Sequence, residues 1–219
     1  MFRRKACSHG LVLIFFCNLY VGCIGNDIDV GTNFDGSLNI IDVLNTTEAY
    51  LVYYQTSMNG FVMSKGSTMF NVESTCIKNV MTGISSTQYN FTQYILSQSE
   101  ISADNYTGIF VYTDDQDETK PPSAMNVYIQ GDSEDPVLMT LVFTIPDNHT
   151  CNVYTIFTSE NRLTDGRFDC EMQIKESQVE HGPPESCLKF YDENCKKKKY
   201  EPYKSNCEGK GMEDMVIAK

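Results

Sequence analysis

Nine cysteines and three histidines carry most of the reactive chemistry open to this 219-residue chain. Cys7, Cys17 and Cys23 fall within the first 25 residues, and Cys76, Cys151, Cys170, Cys187, Cys195 and Cys207 follow. The later six contain no C-x-x-C pair, and His149 and His181 stand apart from any cysteine pair, so no metal site is expected. An even number suits three disulfides, which residue spacing leaves open among fifteen connectivities. No G-x-S-x-G, H-E-x-x-H or Gly-rich phosphate loop is present, and paired thiols are not nucleophiles. Acid pairs are too frequent to single out a general acid and base. The expectation is therefore a protein without catalysis or cofactor. The run Asp114-Asp115-Gln116-Asp117-Glu118 lacks the glycine and the terminal Glu spacing of a calcium loop and reads as a solvated loop. Asn45-Thr46-Thr47, Asn90-Phe91-Thr92, Asn105-Tyr106-Thr107 and Asn148-His149-Thr150 are sequons, which predict glycosylated surface asparagines.

Charge narrows the partners. With 17 basic and 29 acidic residues the net charge is −12 and the pI about 4.6. Such a chain has no cationic footprint for a phosphate backbone, so no nucleic-acid partner is expected. At 41% hydrophobic and 21% charged it can bury a core, and its length suits one domain. Arg3, Arg4 and Lys5 precede an apolar run from Leu11 to Phe16 that continues to Val21, and Cys23-Ile24-Gly25 offers small residues at a cleavage site. This reads as a signal peptide over 1–25, too short for the roughly 20 apolar residues of a bilayer span. Its loss removes three basic residues and no acid, taking the charge from −12 to −15, and leaves six cysteines. A secreted, extracellular, disulfide-bonded protein with no membrane partner is expected.

The elements that must position these groups are strands. Apolar residues recur with period two over 50–56, 74–85, 89–97, 108–113, 125–130, 136–145, 151–158 and 168–176, with Gly, Pro, Asn or Asp between most of them. Eight regularly spaced strands suit a sandwich or an up-and-down barrel. A short helix is predicted over 40–44. A longer one follows Gly182-Pro183, with Pro184 and Glu185 in its first turn and Cys187, Leu188, Phe190, Tyr191 and Cys195 at helical spacing. Lys196 to Lys199 suit the negative end of that helix. Residues 26–207 form one unit, and 208–219 are an expected disordered tail.

Eight strands followed by a cysteine-bearing helix, in a secreted acidic chain, resemble the layout of a lipocalin, although the G-x-W signature is absent. Further stretches are Asp42-Val43-Leu44-Asn45-Thr46-Thr47-Glu48 running into Tyr50-Leu51-Val52-Tyr53-Tyr54, then Cys76, Asp169-Cys170-Glu171-Met172, and His181-Gly182-Pro183-Pro184-Glu185-Ser186-Cys187 with Phe190, Cys195, Tyr203 and Cys207. In these the chain resembles, more specifically, the tick salivary lipocalins of the histamine-binding group. The resemblance implies an all-β, eight-stranded antiparallel up-and-down barrel with a short N-terminal helix and a C-terminal helix packed on it. It also implies the pairings Cys76–Cys207, Cys151–Cys187 and Cys170–Cys195, and a monomer. The implied function is sequestration of a host mediator: histamine, serotonin, a leukotriene, thromboxane or a sterol. The alternative is an immune-modulating protein that binds a host protein of complement type through its surface.

The group's amine pattern is Cys-Asp-aliphatic, then Glu-Leu-Trp/Tyr, then Cys. Here it reads Cys151-Asn152-Val153, Glu171-Met172-Gln173 and Cys187. Asn152 replaces the carboxylate that would pair with an ammonium. Gln173 replaces an aromatic that would add about 0.5–2 kcal/mol of cation–π attraction. Both losses shift the expected ligand toward a hydrophobic mediator such as a leukotriene or thromboxane. Glu171 remains the first candidate ligand contact. Asp42, Tyr54, Phe110, Tyr128, Phe143 and Tyr154 are further candidates, of which strand alternation should turn about half to the surface. Met125, Met139 and Met172 read as core.

Overall fold

The computed structural model describes residues 38–207 apart from 59, 66–67, 99, 113–117, 132–134 and 160–167. The expected signal peptide, the tail over 208–219 and most of the acidic run lie outside the described residues. Among the described residues nine strands form one antiparallel sheet. They are β1 (Tyr50–Gln55), β2 (Gly60–Lys65), β3 (Thr68–Ile84), β4 (Gln88–Ser97), β5 (Glu100–Val111), β6 (Ala124–Ile129), β7 (Val137–Thr144), β8 (Cys151–Phe157) and β9 (Asp169–Lys175). The order is β1-β9-β8-β7-β6-β5-β4-β3-β2, and β1 also pairs with β3. That last pairing closes an eight-stranded up-and-down barrel, and each predicted strand falls on one of its staves.

Strand β2 stands outside the ring and, among the described residues, pairs with the first part of β3 alone, from Gly60↔Glu73 to Lys65↔Thr68. It was not predicted, and neither were the first halves of β3 and β5. Phe61-Val62-Met63 has no alternation to read. Residues 102–105 of β5 are exposed and, apart from Ala103, polar, so ladder pairing with β4 rather than burial makes that stretch a strand. Gly60 is required where β2 begins: its φ is +142°, and a Cβ there would lie 2.0 Å from the Val72 carbonyl oxygen.

Helix α1 (Ile40–Leu44) caps one end of the barrel. The Asn39 side chain accepts hydrogen bonds from the backbone N–H groups of Ile41 and Asp42. Ile40, Val43 and Leu44 enter the interior beside Tyr89, Phe91, Met125, Met139, Leu141 and Tyr154. Tyr50, almost fully buried, shares its hydroxyl proton between the carbonyls of Val43 (3.0 Å) and His149 (2.9 Å). One side chain thereby ties α1, β1 and the β7–β8 turn together. Tyr50→Phe is expected to cost about 1–2 kcal/mol, read as a lower urea midpoint at unchanged slope. An unchanged midpoint would show that the cap is held by its apolar contacts alone.

Helix α2 (Glu185–Asn194) lies on the outer face of β7 and β8. Cys187 and Tyr191 join a second core there with Phe143, Cys151, Val153, Cys170, Met172 and Ile174, while Phe190 stacks 4.8 Å from Phe143. Cys151–Cys187 and Cys170–Cys195 pin the helix and its C-terminal end to β8 and β9, and Cys76–Cys207 ties the last segment to β3. Pro184 occupies the N-cap position, and the helix stops before Lys196 to Lys199. Two of those lysines return to its last turn: Lys196 donates to the Asp192 carbonyl (3.2 Å) and Lys199 pairs with the Asp192 carboxylate (3.2 Å). No helix among the described residues is long and apolar enough to cross a membrane.

Candidate functional site

The barrel interior is not filled. A cavity of about 140 Å³ remains beneath α1, with Leu44 at its edge. Period two explains its lining: on β9, Cys170, Met172 and Ile174 turn outward beneath α2, so Glu171 and Gln173 turn inward. On β4 the same alternation sends Tyr89, Phe91 and Gln93 inward. Tyr89 and Phe91 stack at 5.1 Å, and Phe91 and Tyr106 of β5 stack at 5.1 Å, forming an aromatic wall. Met125, Val127, Val137, Met139 and Ile156 complete the apolar side, and Asn79 of β3 joins Gln93 on the polar side.

Glu171 is the acid of this cavity. Gln173 donates its amide N–H to Glu171 Oε1 at 2.6 Å. Burial raises the carboxyl pKa, and the Gln173 bond partly opposes that rise. The Tyr106 hydroxyl is held above its ordinary range by burial first, with Asp104 and then Glu171 adding to it. Tyr154, the direct cross-strand partner of Glu171, is fully buried and pushed up in the same way. Its hydroxyl has no hydrogen-bond partner among the described residues. No Lys, Arg or His lines the cavity among the described residues. A desolvated carboxyl group with one amide partner and no counter-ion has an unmet demand for positive charge.

The structure distributes the sequence candidates as follows. Glu171 lines the cavity. Tyr154 fills the interior beside it without lining it. Phe110 packs against the interior cluster near the capped end. Asp42 is exposed in the first turn of α1, and Tyr128 is exposed on β6. Tyr54 and Phe143 lie on the outer face: Tyr54 is 5.8 Å from Tyr191 with Lys199 Nζ 4.3 Å above its ring, and Phe143 packs on Phe190. A register shift between Val52 and Tyr54, and another between Leu141 and Phe143, reverse the alternation at both places. Met125 and Met139 line the cavity, whereas Met172 belongs to the outer core.

Asn152 does not line the cavity. It is fully buried, accepts from Thr144 Oγ1 at 2.6 Å and donates to the His149 carbonyl at 3.4 Å, which secures the β7–β8 turn. Tyr89, Phe91, Tyr106, Asn79 and Gln93 were not anticipated. The alternation Tyr89-x-Phe91-x-Gln93 puts the three on one face of β4 without saying which face is inside. Among the sequons, Asn45, Asn105 and Asn148 are exposed. Asn90 is half-buried and faces the Asn105 sequon across β4 and β5. Thr107 donates to the Asn90 side chain (2.9 Å) and Thr92 to that of Asn105 (2.8 Å).

A family model described as tick histamine binding protein matches residues 37–209. No curated protein matches the chain. Among solved structures, the AM182 serotonin complex superposes with a TM-score of 0.52 at 14% identity, covering 80% of this chain and 96% of that one. Japanin from Rhipicephalus appendiculatus bound to cholesterol gives 0.47 at 8% identity, covering 75% and 97%.

Proposed function

The chain belongs to the tick histamine-binding protein family, and from that premise we propose that its barrel sequesters a small host amine released at a bite. The observation that carries this reading is Glu171, a half-buried carboxyl group that lines a cavity with no basic side chain among the described residues. An ammonium ion supplies the missing countercharge, and the rings of Tyr89, Phe91 and Tyr106 provide the aromatic wall that Gln173 does not. The erosion at Asn152 and Gln173 pointed toward a lipid mediator. Asn152 has a structural task outside the cavity, and the aromatic surface comes from β4 and β5, so neither change counts against an amine.

Size supports the same choice. At about 30 Å³ of liquid volume per water, 140 Å³ is the space of about five waters. That suits an arylalkylamine and falls well short of a twenty-carbon eicosanoid or a sterol. Secretion after removal of residues 1–25, with glycans on the exposed Asn45, Asn105 and Asn148, belongs to the same proposal. Deglycosylation of the secreted protein followed by intact-mass measurement tests it.

The functional test is titration calorimetry with histamine, serotonin, a leukotriene, a thromboxane analogue and cholesterol over a range of pH. The carboxylate, not the acid, attracts the cation. Burial raises the Glu171 pKa, so protons compete at a higher pH than for an ordinary Glu. Amine affinity is therefore expected to fall as pH drops from neutral toward the ordinary carboxylate range. Binding of a lipid alone, without that pH dependence, would replace the amine reading. Binding of none would move the function to the outer surface and a host protein.

A further inference from the structure

We propose that Asn79 and Gln93 form a second, uncharged subsite of the cavity, which reads a neutral hydrogen-bonding group at the far end of the amine. The inference rests on the Glu171 reading and narrows it to a ligand class. Asn79 on β3 and Gln93 on β4 are direct register partners, and both line the cavity. Gln93 Nε2 donates to Asn79 Oδ1 at 2.9 Å, the one side-chain hydrogen bond of either residue among the described residues. That bond fixes both amides and uses one donor and one acceptor. Whichever way the two amides are turned, the pair keeps an NH₂ group and a carbonyl oxygen for a third partner.

The pair is costly as mere filling. Apart from Glu171 and Gln173 the rest of the wall is apolar or aromatic, Asn79 is buried and Gln93 half-buried, and an amide held from water with unmet capacity is disfavoured unless something bonds it. The pair and Glu171 line the same cavity of about 140 Å³, so one small molecule can meet both. The ligand class is thus an amine of about ten non-hydrogen atoms whose ring bears a hydroxyl or a ring nitrogen. Its ammonium lies at Glu171, its ring against Phe91 and Tyr106, and its polar tip at the two amides.

Tyramine and phenethylamine differ by one ring hydroxyl and form the matched probes. By calorimetry on the full secreted chain, tyramine is expected to bind at least tenfold tighter than phenethylamine. In the double variant Asn79→Leu, Gln93→Met, which removes both amides together, the ratio should fall to about one. Equal affinities in the unaltered protein, or a ratio that survives the double substitution, would overturn the subsite and leave the Glu171 reading standing. If neither amine binds a protein with a normal unfolding transition, both readings are overturned together. Should the double variant lose its cooperative transition, Gln93→Met alone carries the test: discrimination reduced supports the subsite, discrimination unchanged overturns it.

Discussion

Glu171→Gln is expected to weaken amine binding at least tenfold, about 1.4 kcal/mol, while making the empty barrel more stable at neutral pH. The two effects have one cause. Glu171 faces a cavity in which Gln173 is its hydrogen-bond partner and no basic side chain appears among the described residues, so ionisation is opposed until a cation arrives. Its pKa is raised in the folded state, and the folded protein therefore holds the proton more tightly than the unfolded chain. Stability from this group is full below the unfolded pKa and is lost as pH rises through the raised folded value. Glutamine keeps the shape and a hydrogen bond but never ionises. The melting temperatures of the two proteins should coincide in acid and separate toward neutral pH, with the glutamine form higher. Calorimetry with histamine or serotonin provides the second readout. An unchanged affinity would remove Glu171 from the site, and a destabilised variant would show that its charge is already compensated.

Replacing Cys151 and Cys187 together by alanine is expected to lower stability strongly. The bond spans 36 residues and fastens α2 to β8, and both cysteines are fully buried. Loop-closure entropy for a loop of that length amounts to about 4 kcal/mol. For a domain of this size that corresponds to a fall in Tm of about 8–16 °C, read by calorimetric scanning. Amine affinity at low temperature should change far less than for Glu171→Gln. Cys151 faces the outer core, whereas the cavity is lined from the opposite side of β8 and β9. If the double variant melted normally, α2 would be held by its Tyr191 and Phe190 contacts alone. If binding were lost while the fold persisted, α2 would be setting the position of β9.

The eight staves of the barrel were legible because a strand with one face inside announces itself locally by period two. The capped helix α1 and the start of α2 after Gly182-Pro183 were legible for similar reasons: their signals lie within a few residues. Strand β2 was hidden because its pairing depends on one distant neighbour, β3, and Phe61-Val62-Met63 offers no alternation.

The site divides along the same line. Glu171 could be named from its place in the amine pattern of the group the chain resembles, and alternation sets it opposite the outward Cys170. Tyr54 and Phe143 could not be placed, because each follows a register shift that reverses the alternation and depends on a partner strand distant in sequence. Nor could local pattern say that Tyr89, Phe91 and Gln93 face the cavity rather than solvent: both faces of β4 carry aromatic and polar residues. Composition and periodicity thus determined that this chain makes strands that alternate, a helix and cysteines enough to fasten it. Closure of β1 on β3, a contact between residues far apart in the chain, decided which face became the inside. That choice put one acid with no basic neighbour among the described residues, three carboxamides and an aromatic wall around the same small volume.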